Sequence, residues 1–279
     1  MGTTTLICPT DFSETANNAT EYAAKLAQIM HAELMLVNVQ RIVPVMAAVS
    51  LGEGIGSETR ENSLIASNKL KEMSIEINKM FNISTKYEVD ITAKSLTKTV
   101  AALGKEKKMI VMGTNGADNM SQFFFGTNTY KVIKKTQCPV LIIPDEFPFG
   151  TIKNILYPII DEKKDRIILD QVAEFVKYFD AQITFLFVYK KESENNLHDF
   201  NLLKEKITTF FFGKSKLNFK MVLSENIDDA IHEYETDNTI DLMITEAHER
   251  SVLENMFTKK PLLATLSAIA SYPILVVHS

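Results

Sequence analysis

Three glycines set between two apolar runs constrain this chain more than any other feature. Met109 to Met112 is a short apolar run of the kind that forms a strand buried on both faces. Gly113 and Gly116 follow at once, and Gly126-Thr127-Asn128 open a helix expected to reach about Lys135. Val140 to Ile143 is a second strand-like run. The glycines therefore fall between a strand's carboxyl end and a helix's amino end, where open α/β sheets bind ligands and free helix N–H groups attract phosphate. Without a side chain, glycine adopts positive φ and lets backbone approach phosphate oxygens closely. Thr127 is placed to cap that helix or to donate its hydroxyl to a phosphate.

Upstream, the pattern alternates strand and helix. Thr4 to Cys8 reads as a strand, and Ser13 as the cap of a helix with Ala16, Ala19, Ala23, Leu26, Ala27 and Met30 at helical spacing. Glu33 to Val39 is a second strand. Residues 40 to 57, with Pro44, Gly52, Gly54 and Gly56, read as a loop, and a long helix follows from Glu58 to about Met80. Those glycines are not a dinucleotide fingerprint, which belongs directly after the first strand of a βαβ unit. Lys86 to Val89 is a strand and Leu96 to Lys105 a helix. Five strands alternating with helices make a parallel, doubly wound sheet.

The pattern then repeats. Asn154 to Pro158 mirrors the first strand and its proline, and Ala181 to Val188 mirrors Ala32 to Val39, at one offset (158 − 9 and 181 − 32 both give 149). Tyr272 to Val277 mirrors Cys138 to Ile143 at a smaller one (273 − 139 = 134). The second copy is thus 15 residues shorter (149 − 134) between its second and third strands, a loss assigned largely to the Gly-rich loop. The expected architecture is two tandem doubly wound α/β domains, 1–146 and 152–279, joined by residues 145 to 151. Each is a five-stranded parallel sheet of order 3-2-1-4-5.

The spacing Gly113-x2-Gly116-x9-Gly126-Thr127-Asn128 resembles the ATP-binding signature of the universal stress protein family. Leu6-Ile-Cys-Pro9-Thr10-Asp11-Phe12-Ser13 is similar to the end of that family's first strand. The resemblance implies a site for ATP, ADP or AMP, with Mg²⁺ carried on the phosphates. Pro9, Thr10 and Asp11 and the backbone at Val39 would hold the nucleoside. Met112, Gly113 and Thr114 would line the ribose and phosphate side, and Gly116, Gly126, Thr127 and Asn128 would cradle the phosphates. It also implies a nucleotide-responsive binding or signalling module in stress adaptation. The alternatives are a scaffold in which nucleotide is structural, or a slow ATPase. An adenylate-forming enzyme is disfavoured, because its Ser-Gly-Gly-x-Asp-Ser and His-x-Gly-His cues are absent. Family members commonly dimerise through their last strands, so the tandem chain is expected to imitate that dimer internally, and a homodimer of whole chains stays open.

Asp11 is the one carboxylate placed to matter, either accepting from ribose hydroxyls or the adenine amine or capping the helix behind it. The second copy has lost the cradle: Ala247, Arg250, Lys260 and Pro261 stand for Gly113, Gly116, Gly126 and Thr127, and Ile160 for Asp11, with Asp161 one place on.

A net charge of −5 with no basic stripe argues against nucleic acid. No apolar run reaches membrane-spanning length, no signal peptide precedes the first strand, and the sixth residue, Leu6, does not suit myristoylation. Cys8 and Cys138, the two cysteines, read as buried thiols of a reducing cytoplasm. The five histidines show no metal-ligand spacing. Gly213-Lys214-Ser215 lacks the earlier glycine of a P-loop, since position 208 is Thr208. Phe123 to Phe125 reads as a packing plug and Phe210 to Phe212 as core or interface. No metal ligands are expected and no catalytic residue is assigned, since nothing marks a general base beside the cradle.

Overall fold

Leu6, Ile7 and Cys8 are fully buried, as an apolar run without polar alternation requires. They lie in β1 (Thr5–Pro9). The computed structural model describes residues 4–40, 56–91, 95–103, 108–114, 127–145, 147–159, 166–213, 215–247 and 272–278. The described residues up to Cys138 form one compact unit and those from Pro139 another.

In the first unit β1 lies between β2 (Glu33–Val39) and β4 (Lys108–Gly113), and β3 (Thr85–Asp90) lies beyond β2. All these pairings are parallel, giving the order β3-β2-β1-β4. Helix α1 (Glu14–Met30) follows β1. Ser13 caps it, its hydroxyl accepting from Ala16 N, and His31 closes it in the left-handed region at φ 50°. Ala16, Ala19, Ala23 and Ala27 are buried along one face of α1, and their small side chains let it lie close to the sheet. α2 (Gly56–Phe81) joins β2 to β3, α3 (Leu96–Leu103) joins β3 to β4, and α4 (Thr127–Lys135) follows β4.

The second unit holds β5 (Val140–Ile143), β6 (Asn154–Ile159), β7 (Gln182–Tyr189), β8 (Lys216–Leu223), β9 (Leu242–Glu246) and β10 (Ile274–Val277). Their order is β5-β10-β9-β6-β7-β8. Four pairings are parallel, but β5 runs antiparallel to β10, with Leu141 opposite Leu275. The sheet here is therefore mixed and carries a sixth strand, where five parallel strands were expected. The reason is local: both runs are apolar throughout and four residues long, and pairing removes two exposed edges.

Helices α5 (Arg166–Val176), α6 (Glu194–Phe210) and α7 (Ile227–Asp237) complete the described unit. The shortening of this copy is not confined to a loop, since α2 has 26 residues and α6 has 17. Phe185 stacks on Phe219 at 5.5 Å and touches Tyr157 and Phe211, while Phe187 meets Phe200 edge-on at 5.0 Å. In the Phe210–Phe212 run, Phe211 is core and Phe212 is 85% exposed. Lys216 and Lys220 on β8 keep that edge charged against further pairing. Phe123 to Phe125 and the loop glycines Gly52 and Gly54 lie outside the described residues. Among the described residues no helix is long and apolar enough to cross a membrane.

Both thiols are buried and free of disulfide. Burial pushes Cys8 from the usual 9.0 up to about 11, against a smaller opposing hydrogen bond with Thr20, and it raises Cys138 as well. Between pH 9 and 11 the unfolded chain releases the Cys8 proton while the folded chain keeps it. Stability is therefore full below about pH 9 and falls as pH rises towards 11. Urea midpoints measured across that range should decline less steeply in Cys8→Ala than in the parent; equal slopes would count against this assignment.

Candidate functional site

The register Thr5↔Glu33 and Thr5↔Lys108 brings the ends of β1, β2 and β4, at Pro9, Val39 and Gly113, to one edge of the first unit's sheet. From β1 the chain passes through α1 to β2 on one side, and it returns through α3 to β4 on the other. The carboxyl ends of β1 and β4 thus flank a topological switch point. Gly113 is buried, and its carbonyl accepts a hydrogen bond from Thr129 Oγ1 at 3.1 Å. That bond sets the first turn of α4 against the end of β4. The first N–H groups of a helix have no intrahelical acceptor and carry the positive end of its dipole. Thr114, 4% exposed, follows Gly113, and Asn128 is half-buried at the start of α4.

On the β1 side the loop is closely held. Thr10 N donates to Val37 O at 2.9 Å, and the Thr10 carbonyl accepts from Asn38 Nδ2 at 2.8 Å. Thr10 Oγ1 accepts from Phe12 N at 3.1 Å, and Phe12 sits at φ 66°, a conformation a bulky side chain rarely adopts. Backbone strain of that kind persists where neighbouring contacts enforce it. Lys69 Nζ lies 5.2 Å from the centre of the Phe12 ring. Asp11 is exposed, and its Oδ1 accepts from Ser13 N at 3.1 Å and Ser13 Oγ at 2.6 Å. The cap of α1 is Ser13, so Asp11 orients the capping residue and does not replace it. Pro9 and Met112 are buried and Val39 is half-buried. Gly116 and Gly126 lie outside the described residues, as does the Thr127 side chain. The site therefore brings together an exposed carboxylate, a strained loop and a helix amino end beside a glycine. Such a set suits a ligand with hydroxyls at one end and negative charge at the other.

In the second unit Ala247 follows β9 where Gly113 ends β4, and its N–H donates to Val277 O at 2.9 Å. Tyr157 and Glu246 occupy the places of Cys8 and Met112, and the buried Tyr157 hydroxyl donates to Glu246 Oε1 at 2.6 Å. Burial, and then the Glu246 charge, hold that phenol well above its usual range. A carboxylate at this edge opposes an anionic ligand. Arg250, Lys260, Pro261, Ile160 and Asp161 lie outside the described residues.

Thr129, Phe12 and Asn38 escaped the sequence reading. Asn38 had a usable signal, an amide inside the apolar run of β2. Phe12 had none, because nothing in its neighbours announces positive φ.

Residues 2–144 match the universal stress protein family, just over half of the 279 residues, and the chain belongs to that family. It is 31% identical over 156 residues to one universal stress protein of Methanocaldococcus jannaschii, covering 50% of this chain and 93% of that one. A second from the same organism is 28% identical over 140 residues, covering 50% and 80%. The solved structure of a universal stress protein from Archaeoglobus fulgidus matches with a TM-score of 0.68 over 99% of this chain and 96% of that one, at 17% identity. A functionally unknown protein from Pseudomonas aeruginosa matches at 0.60 over 99% and 93%, at 14% identity. At these identities the likeness is one of fold.

Proposed function

We propose that the first repeat binds one adenine nucleotide at the carboxyl ends of β1, β2 and β4, and that the protein is a cytoplasmic, nucleotide-responsive module of stress adaptation. The observation that carries this reading is the Thr129–Gly113 bond, which sets the amino end of α4 beside a glycine at the switch point. In this reading Pro9, Thr10, Asp11 and Val39 meet the nucleoside, Met112, Gly113 and Thr114 meet the ribose and inner phosphate, and Gly116, Gly126, Thr127 and Asn128 cradle the outer phosphates. Mg²⁺ rides on the phosphates; among the described residues no group of three or more His, Cys, Asp or Glu is placed to hold a metal. The second repeat, residues 152–279, keeps the fold with the strand order 3-2-1-4-5 of the first, 1–146, and has lost the site. Pairing of β5 with β10 supports reading the tandem chain as the internal counterpart of a dimer. With no residue assigned to activate a water, turnover is slow or absent.

Mass spectrometry of small molecules released on denaturing the purified protein should find an adenine nucleotide, near one per chain. A nucleotide-free protein that takes up none when ATP is supplied would overturn the proposal. The scaffold reading predicts bound nucleotide that does not exchange with labelled ATP, whereas a responsive module exchanges it.

A further inference from the structure

Asn38 interrupts the apolar sequence of β2 and is 4% exposed. A primary amide is costly there unless its hydrogen bonds are made, and both ends are used. Nδ2 donates to the Thr10 carbonyl at 2.8 Å, and Oδ1 accepts from Gln40 Nε2. Gln40 is itself tied to β3, its N–H donating to the Asp90 carbonyl at 3.0 Å, and the buried Asp90 carboxylate accepts from Thr99 Oγ1 on α3. Thr10 is therefore held at three points: its N–H by Val37, its carbonyl by Asn38, and its hydroxyl by the N–H of Phe12. The orientation of the Thr10–Asp11 peptide follows from that carbonyl, and it sets where the backbone of Asp11 stands, while Ser13 N and Oγ hold the carboxylate. The second repeat supplies the contrast. At the offset of 149, Asn38 becomes Phe187 and Thr10 becomes Ile159 (187 − 38 and 159 − 10), both buried, and Phe187 packs on Phe200. Where the glycine cradle is gone, the amide is gone too, and hydrocarbon fills its place.

We propose that Asn38 is a positioning residue of the nucleotide site: its side-chain amide holds the Thr10 carbonyl and so presents the Pro9–Ser13 loop, with Asp11, to the ligand. The proposal rests on the nucleotide reading given above. Holding a loop in its bound conformation before the ligand arrives raises affinity, because the ordering cost is already met.

The test compares full-length Asn38→Leu and Asn38→Asp with the parent by calorimetric titration of ATP and, separately, AMP, at a temperature well below each thermal midpoint. Leucine is of similar size without polar atoms, and aspartate keeps the shape but presents no donor to Thr10. Both should weaken ATP at least about tenfold, and AMP by the same factor, because the loop that Asn38 holds lies on the nucleoside side. Asn38→His, whose ring N–H donates from a similar position, should recover part of the loss. A purely packing role would lower the thermal midpoint and leave affinity in the folded protein unchanged. If Asn38→Leu does not fold, Asn38→Ser, polar but too short to reach Thr10, is read in the same way. A parent that binds no ATP overturns the nucleotide reading and this inference together. A parent that binds, with folded Asn38 variants that bind equally well, overturns the inference alone. So does weakening seen with ATP and not with AMP.

Discussion

Gly126→Lys should weaken ATP binding at least about tenfold while the circular dichroism spectrum stays that of the parent. Gly126 immediately precedes α4, which begins at Thr127, and the second repeat carries Lys260 at the matching position. Two effects compete. The added ammonium favours an anion, yet at a wet surface such an attraction is typically below ~1 kcal/mol. The added side chain obstructs close approach to the α4 amino end, where each backbone bond to a charged group contributes roughly 1.5–3 kcal/mol. Removing even one such bond outweighs the new charge, and about 1.4 kcal/mol is already tenfold. Gly116→Arg, copying Arg250, should act in the same direction. Lys260→Gly alone should create no second site, because Ala247, Arg250, Pro261 and the Glu246 carboxylate remain. A Gly126→Lys protein that binds ATP as tightly as the parent would place the phosphates elsewhere.

Phe185→Ala should strongly destabilise the second unit. Its ring is fully buried, stacked on Phe219 and packed against Tyr157 and Phe211. Emptying such a position removes the transfer energy of the ring and leaves a cavity whose lining has no partner, together about 3–5 kcal/mol. Aromatic pairing adds a smaller contribution. All four rings belong to the second unit and none to the proposed nucleotide site. Below the lowered thermal midpoint, ATP affinity should therefore match the parent's. A small shift in midpoint would show that the aromatic cluster repacks around the gap.

Much of the fold was legible for a plain reason. Strands such as Val140–Ile143 and Ile274–Val277 are buried from end to end, so their apolar runs and their boundaries coincide. The repeat was legible because Pro158 lies near the end of β6 as Pro9 ends β1, and Pro273 directly precedes β10 as Pro139 precedes β5. The clustering of β5 with the second unit was not legible, since a strand apolar on both faces says nothing about which compact unit claims it. Nor was the division of the shortening between loop and helix, because an offset counts the residues lost without saying which element loses them. At the site, glycine spacing and Pro9-Thr10-Asp11 marked the strand ends. The bonds that join them, Thr129 to Gly113 and Asn38 to Thr10, link residues 16 and 28 apart in sequence, and only the folded register brings them together.

The proposed function requires one nucleotide site per chain, in the first repeat. Isothermal titration of the nucleotide-free, full-length protein with ATP and Mg²⁺ addresses it most directly. A single class of site at one per chain is expected, abolished or weakened at least about tenfold by Gly126→Lys. Two equivalent sites per chain, or one site indifferent to Gly126→Lys, would contradict it.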